Sequence, residues 1–426
     1  MFMIERTRLW LLGGLIIFLP LSAWLVSLTG SYLISLGRDL LLTLILLASL
    51  SNWRTRSTLS KPQGSTPSVV EGRRPNGATW LGLAFIIFVL ASYFVRQDSV
   101  TQWLRGVRYL IEPIVLLLIL QLNRLPDGWQ RPLGRALAVS LGLVVLGGLI
   151  DYFFPSVLRL TFNANGSGYL GQIHYAAAAV RLQSTLAGPN ALGLLLMVGL
   201  LLAPFWQPAW PRRLAISLTV LTAAGLILTF SRSSWIGLAV GLVYFLIISR
   251  SKVKNAGRYL AVVLTLTLIV VVGLVGFKPA VLTRFSSNDI RLEQYHRIWL
   301  ERGQIGLLGR GAGTAGLVSE FSFDNSPNYF SENSYLDVYE NVGLFGALAY
   351  LALWVWLVVV LAKQKTLLGA TVSAAVFGLA VAGLFIDHYT GQAAIWLTLM
   401  LAGLAGGQSS AKASDQRSSR VGAQQS

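Results

Sequence analysis

The chain of 426 residues carries 54% hydrophobic and 12% charged residues, with 34 Lys and Arg against 17 Asp and Glu. Soluble domains hold about 25% charged residues, so a soluble globular enzyme is excluded, as are a disordered chain, a collagen and a disulfide scaffold. Cysteine is absent, which removes thiolate metal sites and cysteine nucleophiles. The formal charge of +17 reads as membrane topology, because basic residues beside spans fix orientation; no nucleic-acid partner is expected.

Apolar runs long enough to cross a bilayer predict an all-α fold, a polytopic integral membrane protein of about twelve transmembrane helices. The runs lie near 9–28, 32–50, 78–95, 109–122, 136–154, 187–206, 214–230, 235–249, 259–277, 341–362, 367–386 and 391–407. No small-residue cleavage site follows the first, which reads as an uncleaved span. The second contains Arg38 and Asp39, which must pair with neighbours or face the bundle interior. Residues 51–77, rich in Ser, Pro, Gly and basic residues, read as a flexible cytoplasmic loop. Residues 1–407 form a single transmembrane domain, and 408–426 read as a disordered cytoplasmic tail.

Alternate loops, with both termini, hold about 21 of the 34 Lys and Arg, so by the positive-inside rule that side is cytoplasmic. The opposite face then carries the long loops 155–186 and 278–340. The second exceeds what a plain connection needs, so it is expected to be functional.

His174, His296 and His388 fall on that outer face. So do Arg159, Arg181, Arg232, Arg284, Arg291, Arg297, Arg302 and Arg310, where positive charge should be scarce. Arginine suits phosphate because its planar fork binds two oxygens and stays charged when desolvated. A lipid-linked phosphate or diphosphate is therefore the expected ligand, against simple headgroup anchoring. Arg232 sits in the short hairpin Thr229-Phe230-Ser231-Arg232-Ser233-Ser234. Arg181 precedes Gly188-Pro189-Asn190, where Asn190 is placed to cap the next helix. Gly309-Arg310-Gly311-Ala312-Gly313-Thr314 reads as an anion-binding nest or as simple tight turns. Glu332 and Asn333 stand just before a span, where a carboxylate can act as a base or a cap cluster can start the helix.

In order, Arg181…Gly188-Pro189-Asn190-x-Leu192-Gly193, Thr229-x-Ser231-Arg232, Arg291…Gly309-x-Gly311 and Asn333-x-Tyr335-Leu336…Gly343-Leu344-x-Gly346 resemble the O-antigen ligase and polymerase superfamily. The resemblance runs from about residue 100 to 400. It implies a GT-C-like membrane glycosyltransferase of the bacterial cytoplasmic membrane, inverting, metal-independent and without cofactor, acting on the periplasmic side. Its donor would be an undecaprenyl-diphosphate-linked glycan, and its acceptor a glycan or lipid-glycan held among membrane lipids. Arg181, Arg232 and Arg291 would grip the diphosphate, with Asn190, Asn333, Tyr335 and His174 in support. The ligase branch carries a histidine immediately before the Asn of the last motif, where this chain has Glu332. Either Glu332 is the base, or His388 in Asp387-His388-Tyr389 takes that role, or the chain sits in the polymerase branch, which we favour slightly. A lipid-linked glycan transporter is the alternative, and it should show broken helices or inverted repeats.

Overall fold

The computed structural model describes residues 2–29, 33–59, 76–96, 99–123, 125–154, 175–176, 179–249, 285–316, 319, 331–364, 366–388 and 392–407. Its long helices are α1 (Phe2–Thr29), α2 (Leu33–Leu59), α3 (Gly77–Ala91), α4 (Val100–Leu122), α5 (Gln130–Phe153) and α6 (Pro189–Leu201). They continue with α7 (Arg212–Leu228), α8 (Arg232–Ile248), α9 (Phe285–Ile305), α10 (Ser334–Lys363), α11 (Leu367–Ala382) and α12 (Gln392–Gly407). Strand pairing among the described residues is confined to Tyr175–Ala176 against Ala179–Val180, antiparallel.

The predicted run 259–277 lies outside the described residues; each of the other eleven falls on a helix. Among the described residues, four helical stretches are long and apolar enough to cross a membrane alone: Met3–Val26, Gly77–Val95, Gln130–Phe153 and Ser334–Lys363. The pair Pro189–Leu201 and Ala203–Ala209, bent by 57°, makes a fifth candidate span. Arg232–Ile248, Leu367–Ala382 and Gln392–Gly407 are shorter apolar helices.

One expectation about the loops needs correction. Residues 51–59, read as part of a flexible loop, continue α2, because no proline interrupts the turn before Pro62. The long loop 278–340 contains α9, a 21-residue helix too polar to be a span.

Arg38 and Asp39 reach partners on another helix. Arg38 meets Glu112 at 2.7 Å and Arg108 meets Asp39 at 2.6 Å, both across to α4. Arg38 also donates to Gln392 on α12 and lies over the Trp396 ring at 5.2 Å. Charges inside an apolar bundle persist only when paired in this way, so the network fixes α2, α4 and α12 together.

α10 is broken at Gly343, whose φ of 71° and ψ of −171° leave the helical region. The break frees carbonyls that the helix would otherwise use, and a buried carbonyl must find another donor. Arg310 N donates to Glu340 O at 2.8 Å and Gly311 N to Asn341 O at 3.1 Å. The Asn341 side chain completes the clamp. Its Oδ1 accepts from Gly313 N and Ala315 N, and its Nδ2 donates to Ala315 O and Asp337 O. On the other side of the loop, Gln102 Nε2 donates to Gly313 O, and Ala312 N donates to Ser92 Oγ. The loop's amides are thus spent inside the protein, which overturns the anion-nest reading of the glycines. Gly309, Gly311 and Gly313 all have positive φ, and a Cβ at Gly313 would stand 2.5 Å from Gln102 O.

Gly343 admits no side chain, since an added Cβ would collide with the Leu307 carbonyl. A left-handed backbone costs other residues about 1–2 kcal/mol before any clash. Gly343→Ala should therefore lower the thermal midpoint of the detergent-purified protein, at a cost of about 2 kcal/mol or more. Gly142→Ala, on α5 with nothing within 4 Å of the added methyl, should leave that midpoint unchanged or raise it.

Candidate active site

The elbow between α7 and α8 presents Arg232. α7 ends at Thr229, Phe230 turns the chain at φ 49°, and α8 starts at Arg232. Thr229 Oγ1 donates to Leu226 O and accepts from Ser231 N, which closes the turn locally. Gly193 of α6 lets this elbow approach, because a Cβ there would be 2.8 Å from Ser231 Cβ. α8 is pressed on α11 at Gly237 and Gly378, where a Cβ on either would lie 2.7 Å from the other's carbonyl oxygen. Small residues permit such close helix approach within a membrane.

Arg181 holds the elbow from behind. Its Nε donates to Thr229 O at 2.8 Å and its Nη2 to Asn190 Oδ1 at 2.7 Å, with the side chain buried. Asn190 therefore does not cap α6. Gly188 occupies the cap position without a side-chain bond, and Pro189 opens the helix. The rest of the loop is pinned by Asp151 at the end of α5, which accepts from Gln183 N and Ser184 N.

The turn before α10 presents Glu332. Ser331 donates through N and Oγ to Asp337 Oδ1, at 3.1 and 2.7 Å. Asn333 caps α10 by accepting from Tyr335 N and Leu336 N, while its Nδ2 donates to Leu384 O. Between them Glu332 is held at φ 47°, a conformation that costs a non-glycine residue and persists only where its surroundings impose it. Its carboxylate pairs with Arg291 of α9, whose Nε donates to Oε2 at 2.6 Å. Tyr295, one turn on, donates to Leu384 O. Arg232 lies close enough to Arg291 and Glu332 for their charges to act on its guanidinium. Three groups from distant parts of the chain thus share one electrostatic neighbourhood.

The other basic residues of the long loop point elsewhere. Arg297 meets the buried Glu340 at 3.3 Å, and the buried Arg310 pairs with Glu301. His388 is fully buried, with Nε2 at 2.6 Å from Leu379 O and Nδ1 at 3.1 Å from the Tyr350 hydroxyl. The carbonyl requires a proton on Nε2, so Nδ1 accepts from Tyr350 and both ring nitrogens are engaged. Trp354 and Tyr335 pack against the ring, and Tyr335 donates to Ala380 O. His296 is exposed on α9. His174 and Tyr389, like Arg159 and Arg284, lie outside the described residues.

Asp151, Ser331, Asp337 and Gly383 were not singled out from sequence, although each shapes the site. A carboxylate at the end of an apolar run marks Asp151 as needing a partner. Nothing local distinguishes Gly383, whose lack of Cβ makes room for the His388 ring. Among the described residues no group of three or more His, Asp or Glu is placed to hold a metal.

Asn333→Ala removes both the cap and the tie to Leu384. It should cost about 1–2 kcal/mol, measured as a lower thermal midpoint, and should loosen the Glu332 turn. No curated protein matches the chain. Residues 217–351, which include Arg232, Arg291, Glu332, Asn333 and Tyr335, match the family model described as O-antigen ligase, so about a third of the chain, including these side chains, is similar to that family.

Proposed function

We propose that this protein is a metal-independent, inverting glycosyltransferase that extends or transfers an undecaprenyl-diphosphate-linked glycan on the outer face of the bacterial cytoplasmic membrane. The observation that carries this reading is the convergence of Arg232, Arg291 and Glu332. Two arginines and a carboxylate are the groups that departure of a diphosphate and activation of a hydroxyl require.

Before the donor binds, Arg291 and Glu332 neutralise each other. The incoming diphosphate, with more negative charge and more acceptor oxygens, draws the Arg291 fork away from Glu332. Glu332 is then free to take the proton of the acceptor hydroxyl. That oxygen attacks the anomeric carbon as the bond to the diphosphate breaks, and the leaving group keeps the electron pair. Arg232 and Arg291 stabilise the charge that grows on it, and only such transition-state contacts speed the step. Arg181, committed to Thr229 and Asn190, acts by positioning the Arg232 elbow, with Asn190 as its partner. Asn333 and Tyr335 fix the Glu332 turn, and His388 packs beneath it. Glu332, where the ligase branch has histidine, favours the polymerase side of the superfamily.

The test is purified protein in nanodiscs with a lipid-linked oligosaccharide. Longer lipid-linked chains indicate polymerisation, and transfer to a second acceptor indicates ligation. No new bond, with glycan crossing sealed vesicles instead, would replace this reading by transport. Glu332→Gln should lower turnover by about a hundredfold, the scale of a lost general base, while donor still binds. Arg232→Lys keeps charge without the fork and should lower turnover at least about tenfold, a barrier change of about 1.4 kcal/mol. Excess chelator should leave activity intact, and loss with rescue by Mg²⁺ or Mn²⁺ would overturn the metal-independent mechanism.

A further inference from the structure

α10 is longer than a bilayer core requires. Of its 30 residues, the part beyond the break at Gly343 alone reaches about 30 Å at 1.5 Å per residue, which equals a hydrocarbon thickness of about 30 Å. The apolar sequence from Leu344 to Ala362 fills that thickness, and Asp337, Glu340, Asn341 and the break at Gly343 all precede it. The stretch Ser334–Gly343 therefore stands in the headgroup layer.

α9 runs alongside this same stretch. Arg291 pairs with Glu332, Arg297 with Glu340, and the Tyr339 hydroxyl meets Arg302 O at 3.4 Å. At its end, the Leu307 carbonyl lies against Gly343. The face of α9 turned from α10 carries three apolar side chains, Leu292, Trp299 and Leu300, at i, i+7 and i+8, around the exposed His296 and Gly303. Leu292, Trp299 and Leu300 are 64%, 63% and 66% exposed. Beyond Gly343, where the chain after α9 touches α10 through Leu307, Leu344, Phe345 and Leu348 are exposed apolar residues of the span. Arg302 lies over the Trp299 ring at 4.3 Å and donates to Trp299 O, the pairing of aromatic ring and cation suited to a membrane interface.

We infer that α9 is an interfacial helix, seated by Leu292, Trp299 and Leu300 in the outer edge of the bilayer where the Ser334 end of α10 emerges. The occupant of this face is lipid, met by apolar burial rather than by charge. Asp289, Glu293 and Glu301 balance Arg291, Arg297 and Arg302 along the helix, so headgroup charge supplies little. Trp299 and Leu300 sit deeper than Leu292, because the C-terminal end of α9 reaches Gly343 at the top of the core. This seat holds Arg291 at the depth where lipid phosphates lie, and it is independent of the reaction the protein performs.

The absence of cysteine makes the test direct. Leu292→Cys, Trp299→Cys, Leu300→Cys and Gln304→Cys each give the full chain one thiol, spin-labelled in nanodiscs of neutral phosphatidylcholine. Collision with oxygen, which concentrates in lipid, should exceed collision with a water-soluble nickel chelate at 299 and 300. It should do so less at 292 and reverse at 304, on the polar edge. If Trp299→Cys does not fold, Leu300→Cys alone decides, with an environment-sensitive fluorophore there showing blue-shifted emission. Dominance of the nickel chelate at 299 and 300 would make the face aqueous and overturn the inference. Exclusion of both agents would mean that residues 317–330 or another protein copy cover it, which also overturns it. An ordering seen only after anionic lipid is added would replace apolar seating by charge and count against it too. Turnover is not read in any arm, so a failed glycan assay leaves this result standing.

Discussion

The clamp of the glycine loop in the break of α10 is the contact on which the rest of the site depends. Once Gly343 leaves the helical region, the carbonyls of Glu340 and Asn341 need donors, and Arg310 N and Gly311 N supply them. An unsatisfied buried carbonyl would cost about 1–3 kcal/mol, so break and loop stabilise each other and neither is expected alone. Asn341 strengthens the exchange by using its amide in both directions, as acceptor from two loop amides and as donor to two carbonyls. α9 is thereby tied at its C-terminal end, and the direction in which it carries Arg291 is set.

A second anchor is the end of α11. Leu384 O accepts from Asn333 and Tyr295, Gly383 O from Ser334, and Ile386 O from the Ser334 hydroxyl. The same helix receives α8 through the Gly237–Gly378 contact. The helices bearing Arg232 and Glu332 are thus both referenced to α11, and α9 is referenced to both α10 and this chain end. Rigid helices placing charged groups in one neighbourhood is the arrangement that favours preorganised electrostatics.

Much of this was legible in the sequence, and for a physical reason. Apolar runs are long-range averages, so eleven of them fall on helices even where single residues are ambiguous. The Asn333 cap was legible from its place before an apolar run, and Arg232, Arg291 and Glu332 stood out because charge beside such a run is costly without a partner. The failures are equally specific. The glycines of 309–313 looked like a nest because spacing reveals available amides and not the carbonyls that consume them. Asn190 looked like a cap because sequence does not show Arg181 folding back on it. α9 escaped because its polar composition gives no span. His388 looked reactive by type, whereas Tyr350 and Leu379 occupy its ring nitrogens.

The left-handed backbone of Glu332 bears on how such a site changes over descent. Few side chains tolerate that conformation, and Asn, Asp and His are enriched there, whereas β-branched residues are essentially shut out. The turn therefore filters which replacements a lineage can sample without rebuilding Ser331, Asn333 and their tethers. Histidine passes this filter as readily as a short polar side chain. Carboxylate and imidazole chemistry are then neighbours in sequence space on one unchanged scaffold, separated by substitution at a single turn position.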